Sequence, residues 1–143
     1  GFNDRGIVPD ACSSWFLPKI VGISHALELT YSGRIIDANE ALKLNLVSSL
    51  HHPDNLVDDA IEFTSNMVKN SAPVSIALTR QMLWRSLEGS GPYEAHVIES
   101  KAINSRGASA DAKEGVNSFL EKRRPTFSNK VSTDMPEFFP WWE

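Results

Sequence analysis

The sequence contains one cysteine, no excess of basic residues and no long hydrophobic run, and each shortage excludes a class of protein. A single Cys12 cannot form a disulfide within the chain, which fits a reducing compartment. Fourteen Lys and Arg against eighteen Asp and Glu give a formal net charge of −4, which disfavours nucleic acid as a partner. No apolar run approaches the roughly 20 residues of a membrane span, and no signal peptide is apparent. We expect a cytoplasmic chain without nucleic-acid or membrane partners.

The composition is that of an ordinary folded domain. With 143 residues, 41% hydrophobic and 22% charged, the chain can build one modest core and is not a disordered tail. No internal repeat or low-complexity segment occurs. The first residue is Gly rather than Met, which fits a tag remnant, a processed product or a fragment, and the sequence does not choose among them.

Apolar residues recur at helical spacing through most of the chain, and Pro, Gly and Ser separate the periodic stretches. This pattern predicts a mainly α protein with one or two short strands, at 34–36 and 46–50. The predicted helices begin at Asp10 and then cover 24–31, 37–44, 53–70, 74–87, 93–105 and 109–123.

Several residues carry specific local expectations. Asp10 is a strong candidate to cap the first helix with its carboxylate. Pro18 is expected to end or kink that helix, and Gly22 to separate it from the next. Asn45 stands where a left-handed residue closes a helix, a conformation that Asn tolerates better than most residues. Ser109 is the expected cap of the last helix.

The end of the chain loses helical periodicity after Pro125. The segment VSTDMPEFFPWWE, residues 131–143, holds four aromatic residues and two prolines. Aromatic side chains bury large areas, and exposing four together invites aggregation. We expect an extended tail lying on an apolar surface, with a disordered end as the alternative.

Three segments occur in a definite order: PDACSSWFLPKIVG at 9–22, GRIIDANEAL at 33–42 and EKRRPTF at 121–127. Together they closely resemble the C-terminal half of the crotonase (enoyl-CoA hydratase/isomerase) superfamily. The resemblance implies the helical C-terminal part of the crotonase fold, with the end of its core at 1–50, a helical oligomerisation region at 51–125 and the aromatic tail at 126–143.

The same resemblance implies a substrate class and partners. The substrate is an acyl-CoA thioester, so coenzyme A enters as part of the substrate and no separate cofactor is expected. The protein is expected to form a homo-oligomer, a trimer or a dimer of trimers, with exchanged helices as a further form. The four histidines lack metal-ligand spacing, so no metal site is expected.

Crotonases stabilise negative charge on the thioester oxygen with two backbone N–H groups, an oxyanion hole. In the family both groups usually come from the N-terminal half, and no matching Gly-rich segment occurs here. The chain alone is therefore expected to be inactive.

The family also needs a carboxylate that moves a proton at the α or γ carbon. One hydratase Glu lies seven residues before the Pro that corresponds to Pro9, where this chain has Phe2. Some family isomerases, and a dehalogenase, instead carry Glu or Asp directly after that turn, and Asp10 matches them. The resemblance implies Asp10 as general base, or as nucleophile in the dehalogenase-like case, against the simpler role of a helix cap.

Four other residues receive roles from the resemblance. Cys12 and Trp15 align with residues near the acyl chain and are candidates to line its pocket, although Trp15 also fits a core position. Phe119 and Lys122 match an F-x-x-K arrangement near the adenine and 3′-phosphate of CoA, where an aromatic ring stacks and an ammonium pairs with phosphate. The simpler alternative makes Phe119 a core residue and the basic run a partner for the helix dipole.

Two functions remain open from the sequence. The first is a C-terminal fragment of an enoyl-CoA hydratase/isomerase-like enzyme, of isomerase type because Asp10 is present and Phe2 replaces the hydratase acid, with hydration close behind. The second is a non-catalytic helical oligomerisation or CoA-binding module.

Overall fold

A computed structural model describes residues 3–143, and within them the chain is mainly helical. A 3-10 turn at Asn3–Arg5 comes first, and a second one, Pro53–Asn55, precedes the fourth helix. The α-helices of this region are α1 (Ser13–Val21), α2 (Ile23–Ser32), α3 (Ala38–Lys43), α4 (Leu56–Val68), α5 (Pro73–Ser86), α6 (Pro92–Gly107) and α7 (Ala110–Leu120).

The predicted mainly α class is confirmed, whereas the predicted strands are wrong for the described part of the chain. Residues 34–36 lack regular structure, and 46–50 form bends and an irregular stretch. A strand requires hydrogen bonds to a neighbouring strand, and residues 3–143 contain no strand to provide them. Ile35 is accordingly 98% exposed despite its β propensity.

Residues with positive φ end the early helices. Gly22, with φ of 81°, separates α1 from α2, and α1 runs through Pro18 instead of ending there. Gly33 closes α2 with φ of 57°, and its N–H donates to the Leu29 carbonyl at 3.1 Å. Asn45 also has φ of 57°, which confirms the expected left-handed position after α3.

Side-chain caps and prolines fix several helix starts. The Asp37 carboxylate accepts from the Glu40 N–H at 2.8 Å at the start of α3. The Ser109 hydroxyl accepts from the Ala112 N–H at 3.1 Å at the start of α7. Both satisfy amides that have no partner within the helix. α5 and α6 each begin with Pro, whose fixed φ suits the first helical position.

The described chain divides into two compact units, one that ends at Asp59 and one that starts at Ala60. In the first unit α1 packs against α2, and Val21 and Ala26 are buried. In the second unit α6 packs against both α5 and α7. The boundaries predicted at 50 and 125 follow the family resemblance and stay a prediction.

The core of the second unit centres on α5. Val74 and Leu78 are its largest fully buried side chains, and Ala102 of α6 is buried as well. Both α5 residues lie four apart, on one face of the helix. This face gives the unit its main hydrophobic stabilisation.

The α4 helix is amphipathic but buries none of its residues. Apolar side chains at helical spacing remain more than a third exposed: Leu56, Val57, Ile61, Phe63, Met67 and Val68. Monomeric proteins rarely leave such a contiguous apolar surface uncovered.

The C-terminal tail is docked in the second unit. Phe138, Phe139, Trp141 and Trp142 are half-buried, as the sequence predicts for a docked tail. The two tryptophan rings meet edge to face with centroids 4.9 Å apart. Arg85 of α5 stacks its guanidinium 4.3 Å from the Trp142 ring centre, a cation–π contact.

Two charged side chains of the second unit hold the beginning of the tail. Asp111, in the first turn of α7, is 2% exposed, and its Oδ1 accepts from the N–H groups of Ser128 and Asn129 at 2.8 and 3.1 Å. Arg106 donates to the Asn129 side chain at 2.5 Å and to the Asp134 carbonyl at 3.3 Å. These bonds attach the turn at 128–134 to α6 and α7.

Two classes of feature are absent from residues 3–143. None of the helices described there combines the length and apolar character needed to cross a bilayer. In the same residues, His, Cys, Asp and Glu side chains form no group of three or more suited to hold a metal ion.

Candidate active site

Asp10 lies in a tight turn immediately before α1. Its Oδ1 accepts from the Ala11 N–H at 2.6 Å, and its backbone carbonyl accepts from the N–H and hydroxyl of Ser13 at 3.0 and 2.6 Å. The residue is exposed. The turn thus presents a carboxylate whose own backbone is fixed by the start of the helix.

The turn contains two consecutive left-handed residues that are not glycine. Ala11 has φ of 54° and Cys12 has φ of 58°. Each such residue costs on the order of 1–3 kcal/mol, and such strain concentrates at functional sites. The surrounding hydrogen bonds hold this strained turn in place, and with it the position of Asp10.

The expectation that Asp10 caps the first helix is wrong. Helix α1 starts at Ser13, and the residue in the cap position is Cys12, which makes no side-chain cap hydrogen bond. Because Ala11 and Cys12 are left-handed, helical geometry cannot begin at Asp10. Among the described residues, the Asp10 carboxylate therefore hydrogen-bonds only to the adjacent Ala11 N–H and does not cap the helix.

The two acyl-pocket candidates follow Asp10 by two and five residues. Cys12 is exposed, and its carbonyl accepts from the N–H groups of Trp15 and Phe16 at 3.0 Å. The Trp15 ring is half-buried, meets the Phe16 ring edge to face at 4.8 Å and lies 4.2 Å from the Lys19 ammonium. The structure thus groups Asp10, Cys12 and Trp15 in one short segment, and their predicted roles stay predictions.

The other pair of candidates lies at the C-terminus of α7, in the second unit. Phe119 is 81% exposed, so the alternative that it is a core residue is wrong. Lys122 is exposed, has φ of 54° and donates its N–H to the Phe119 carbonyl at 3.2 Å. Arg123 N–H donates to the Ser118 carbonyl at 3.0 Å, which completes a Schellman motif with Lys122 in the left-handed position.

An ion-pair cluster fixes the chain directly after this motif. Arg123 donates to both carboxylate oxygens of Glu114, at 2.5 and 2.8 Å, and to Glu121 at 2.6 Å. Glu114 also accepts from the Thr126 N–H at 2.7 Å. These bonds, the Arg123 guanidinium first, lower the pKa of Glu114 from 4.5 to about 2. Phe119 and Lys122 thus belong to a helix end whose following backbone is held by hydrogen bonds.

The second unit also contains a cavity that the sequence did not predict. It has a volume of about 490 Å³ between α5, the loop at 89–91, α6 and the tail, with Leu83, Tyr93, Ile98 and Trp141 among its lining residues. Glu94 holds the loop by accepting from the Ser90 hydroxyl at 2.8 Å. The loop and the aromatic tail were each predicted, but their meeting at one cavity depends on tertiary packing. Its mainly apolar wall suits an apolar group.

The structure thus assembles the predicted residues into two local groups, each described within its own unit. The first comprises Asp10, Cys12 and Trp15, and the second Phe119 and Lys122. Phe2, the position that argues against a hydratase, lies outside the described residues.

Comparison with known proteins identifies the family. The model of the enoyl-CoA hydratase/isomerase family matches residues 2–130. The chain is 40% identical over 131 residues to the enoyl-CoA hydratase ACTT3 of Alternaria alternata, and the match covers 91% of this chain and 44% of that protein. It is 30% identical over 129 residues to the trans-2-decenoyl-acyl-carrier-protein isomerase of Streptococcus mutans, with 90% of this chain and 48% of that protein covered.

Solved structures give the same result. The enoyl-CoA hydratase of Bacillus anthracis superimposes with a TM-score of 0.82 at 26% identity, over 90% of this chain and 49% of that one. That of Mycobacterium tuberculosis gives 0.81 at 28% identity, over 90% and 50%. The chain spans about half the length of the proteins it matches. Because the family model matches most of its residues, the chain belongs to the enoyl-CoA hydratase/isomerase family.

Proposed function

We propose that this chain acts as the C-terminal part of an acyl-CoA enzyme that shifts a double bond in an enoyl thioester, with Asp10 as its base. The observation that carries the proposal is the Asp10 turn. An exposed carboxylate follows Pro9 on a strained backbone and makes a side-chain hydrogen bond only to the adjacent Ala11 N–H among the described residues. The matched isomerase of Streptococcus mutans supports this reaction type.

In the proposed reaction, Asp10 takes a proton from the α or γ carbon of the thioester and returns it at the other carbon. Negative charge develops on the thioester oxygen during the transfer, and two backbone N–H groups must stabilise it. We assign those donors to an N-terminal half outside the described residues, in keeping with the length of the relatives. Cys12 and Trp15 would line the acyl chain, and no metal or separate cofactor takes part.

The CoA end of the substrate is assigned to α7. The exposed Phe119 ring offers a face for adenine, and the Lys122 ammonium offers a point charge for the 3′-phosphate. The neighbouring cation, Arg123, is paired with Glu114 within the protein, whereas Lys122 is available for a ligand. Among described residues Lys122 has no side-chain hydrogen bond or ion pair.

Isomerisation is tested in a chimera that joins this chain to the N-terminal half of the Alternaria alternata hydratase. Asp10→Asn should lower enoyl-CoA isomerisation by about a hundredfold or more, the usual contribution of a general base. Asp58→Asn, an exposed acid in the first turn of α4, is the matched control and should leave the rate unchanged. Undiminished turnover in Asp10→Asn removes it from the mechanism.

A second candidate function is a helical oligomerisation or CoA-binding module without catalysis, and the uncovered apolar face of α4 favours it. A homo-oligomer, a trimer or a dimer of trimers, would cover such a face. Size-exclusion chromatography with light scattering measures the oligomer, and thermal melting with millimolar CoA measures binding. A melting shift that Lys122→Met abolishes, without isomerisation in the chimera, would favour the module. The site of action we propose for either function is the cytoplasm.

A further inference from the structure

A hydrogen-bonded chain of three side chains lies in the first unit and includes none of the residues assigned above. The Ser49 hydroxyl is 2.8 Å from Nε2 of His51, and Nδ1 of His51 is 2.9 Å from Oδ2 of Asp59. Ser49 and His51 lie two residues apart in a stretch outside any helix, and Asp59 belongs to the first turn of α4. The chain thus runs serine, imidazole, carboxylate.

The hydrogen-bonding capacity of these groups sets the direction of the bonds. An ionised carboxylate only accepts, so Nδ1 of a neutral His51 carries the proton and donates it to Asp59. Nε2 then has a lone pair and accepts from the Ser49 hydroxyl. In this tautomer the imidazole is placed to take the serine proton, and the carboxylate stabilises the imidazolium that results.

The neighbouring histidine shows that this arrangement is specific to His51. His52 has its Nδ1 3.5 Å from the Asp54 carboxylate, and both side chains of that pair are highly exposed. Its ring makes no hydrogen bond to a serine among the described residues. The His51 side chain is only 22% exposed, whereas Ser49 is exposed. The base is therefore held in place while the hydroxyl remains open to a reactant.

We propose that Ser49, His51 and Asp59 form a second reactive site, in which Ser49 attacks the carbonyl carbon of small activated esters and thioesters. Oγ of Ser49 bonds to that carbon as His51 takes its proton. The carbon–oxygen or carbon–sulfur bond then breaks, and the leaving group receives the proton from His51. Water attacks the acyl-serine by the same route, which releases a carboxylic acid and restores Ser49.

This site is independent of the proposed isomerase reaction. It uses none of the residues assigned to the enoyl thioester, and it lies within one unit of the present chain. A base contributes about 10²–10⁴-fold to such a reaction. Hydrolysis of a model ester by the 143-residue protein itself therefore measures the activity of this second site directly.

The test uses p-nitrophenyl acetate and a fluorophosphonate probe on the full chain. Release of nitrophenol should fall about a hundredfold in Ser49→Ala and in His51→Gln. Ser48→Ala and His52→Gln are the matched controls, since each alters the adjacent residue of the same type, and both should keep the parent rate. Peptide mass mapping should place the acetyl and phosphonyl groups on Ser49.

Asp59 acts as a positioning residue, so its test must separate orientation from folding. Asp59→Asn should lower the acylation rate with KM unchanged, and Asp59→Glu should restore part of that rate. The melting temperature of each variant reports on the competing role, a hydrogen bond that only attaches the 49–51 stretch to α4.

Three results would overturn the proposal. One is label on Cys12 or a lysine instead of Ser49. Another is equal ester hydrolysis by the parent and Ser49→Ala. The third is a fall in melting temperature for His51→Gln with no change in acylation, which would make the three residues a structural contact only.

Discussion

Replacing Asp111 by Ala should detach the aromatic tail from α7. Asp111 is 2% exposed, and its Oδ1 binds the two consecutive amides of Ser128 and Asn129. Its Oδ2 is buried without a partner among the described residues, so this carboxylate stabilises through Oδ1 alone. Within residues 3–143, the carboxylate at 111 is the one side chain that accepts from these two amides.

The magnitude follows from these bonds. Each hydrogen bond to a charged group contributes about 1.5–3 kcal/mol, so the two together contribute roughly 3–6 kcal/mol. Burying the unpartnered Oδ2 offsets about 1–3 kcal/mol of this gain. We therefore expect Asp111→Ala to lower the free energy of unfolding by about 3 kcal/mol. For a chain of this size the melting temperature should fall by roughly 10 °C.

Thermal melting followed by circular dichroism and limited proteolysis make the measurement. The tail of Asp111→Ala should be cleaved near 128–134 faster than that of the parent, and tryptophan fluorescence should change because Trp142 leaves Arg85. Asp58→Ala, an exposed acid in the first turn of α4, is the control and should change stability by about 0.5 kcal/mol or less. A loss below about 1 kcal/mol with an unchanged cleavage rate would refute the reasoning.

Three further predictions concern stability. Leu78→Ala removes a fully buried side chain of α5 and should cost about 3 kcal/mol in chemical denaturation, whereas Leu83→Ala, at a 66% exposed position of the same helix, should cost little. Glu114 has a lowered pKa, so its contribution to the free energy of unfolding is complete above about pH 4.5 and is lost as the pH falls toward 2. In acid titrations followed by circular dichroism, Glu114→Gln should therefore make the free energy of unfolding depend less on pH between 4.5 and 2. Asp37→Ala removes the α3 cap and should cost about 1 kcal/mol by thermal melting, a result that an unchanged melting temperature would contradict.

The sequence predicted features that depend on a single residue's conformation. Gly22 adopts a positive φ, Asn45 is left-handed and Ser109 caps α7, because backbone sterics or a nearby amide decides each of these features. In these places local chemistry and the fold agree.

Features that depend on distant residues could not be predicted in this way. The stretch 46–50 has a β-like composition, but strand formation requires a second strand that residues 3–143 do not contain. The prediction that α1 begins at Asp10 was wrong. A Pro-Asp pair is typical of a helix start, but two left-handed residues follow it, and α1 begins only at Ser13. The contact between His51 and Asp59 joins a residue outside any helix to a residue of α4 eight positions later, so sequence spacing gave no sign of it.

The left-handed lysine that closes α7 has a consequence for engineering this protein. Glycine adopts that conformation without the penalty of about 1–2 kcal/mol that a side chain incurs, so stability alone would select glycine at position 122. A stabilisation campaign that optimises helix ends would therefore remove Lys122 first. Variants ranked by heat resistance would then lose the cation assigned to the nucleotide end of the substrate, and the losses would appear in ligand affinity and not in the melting curve.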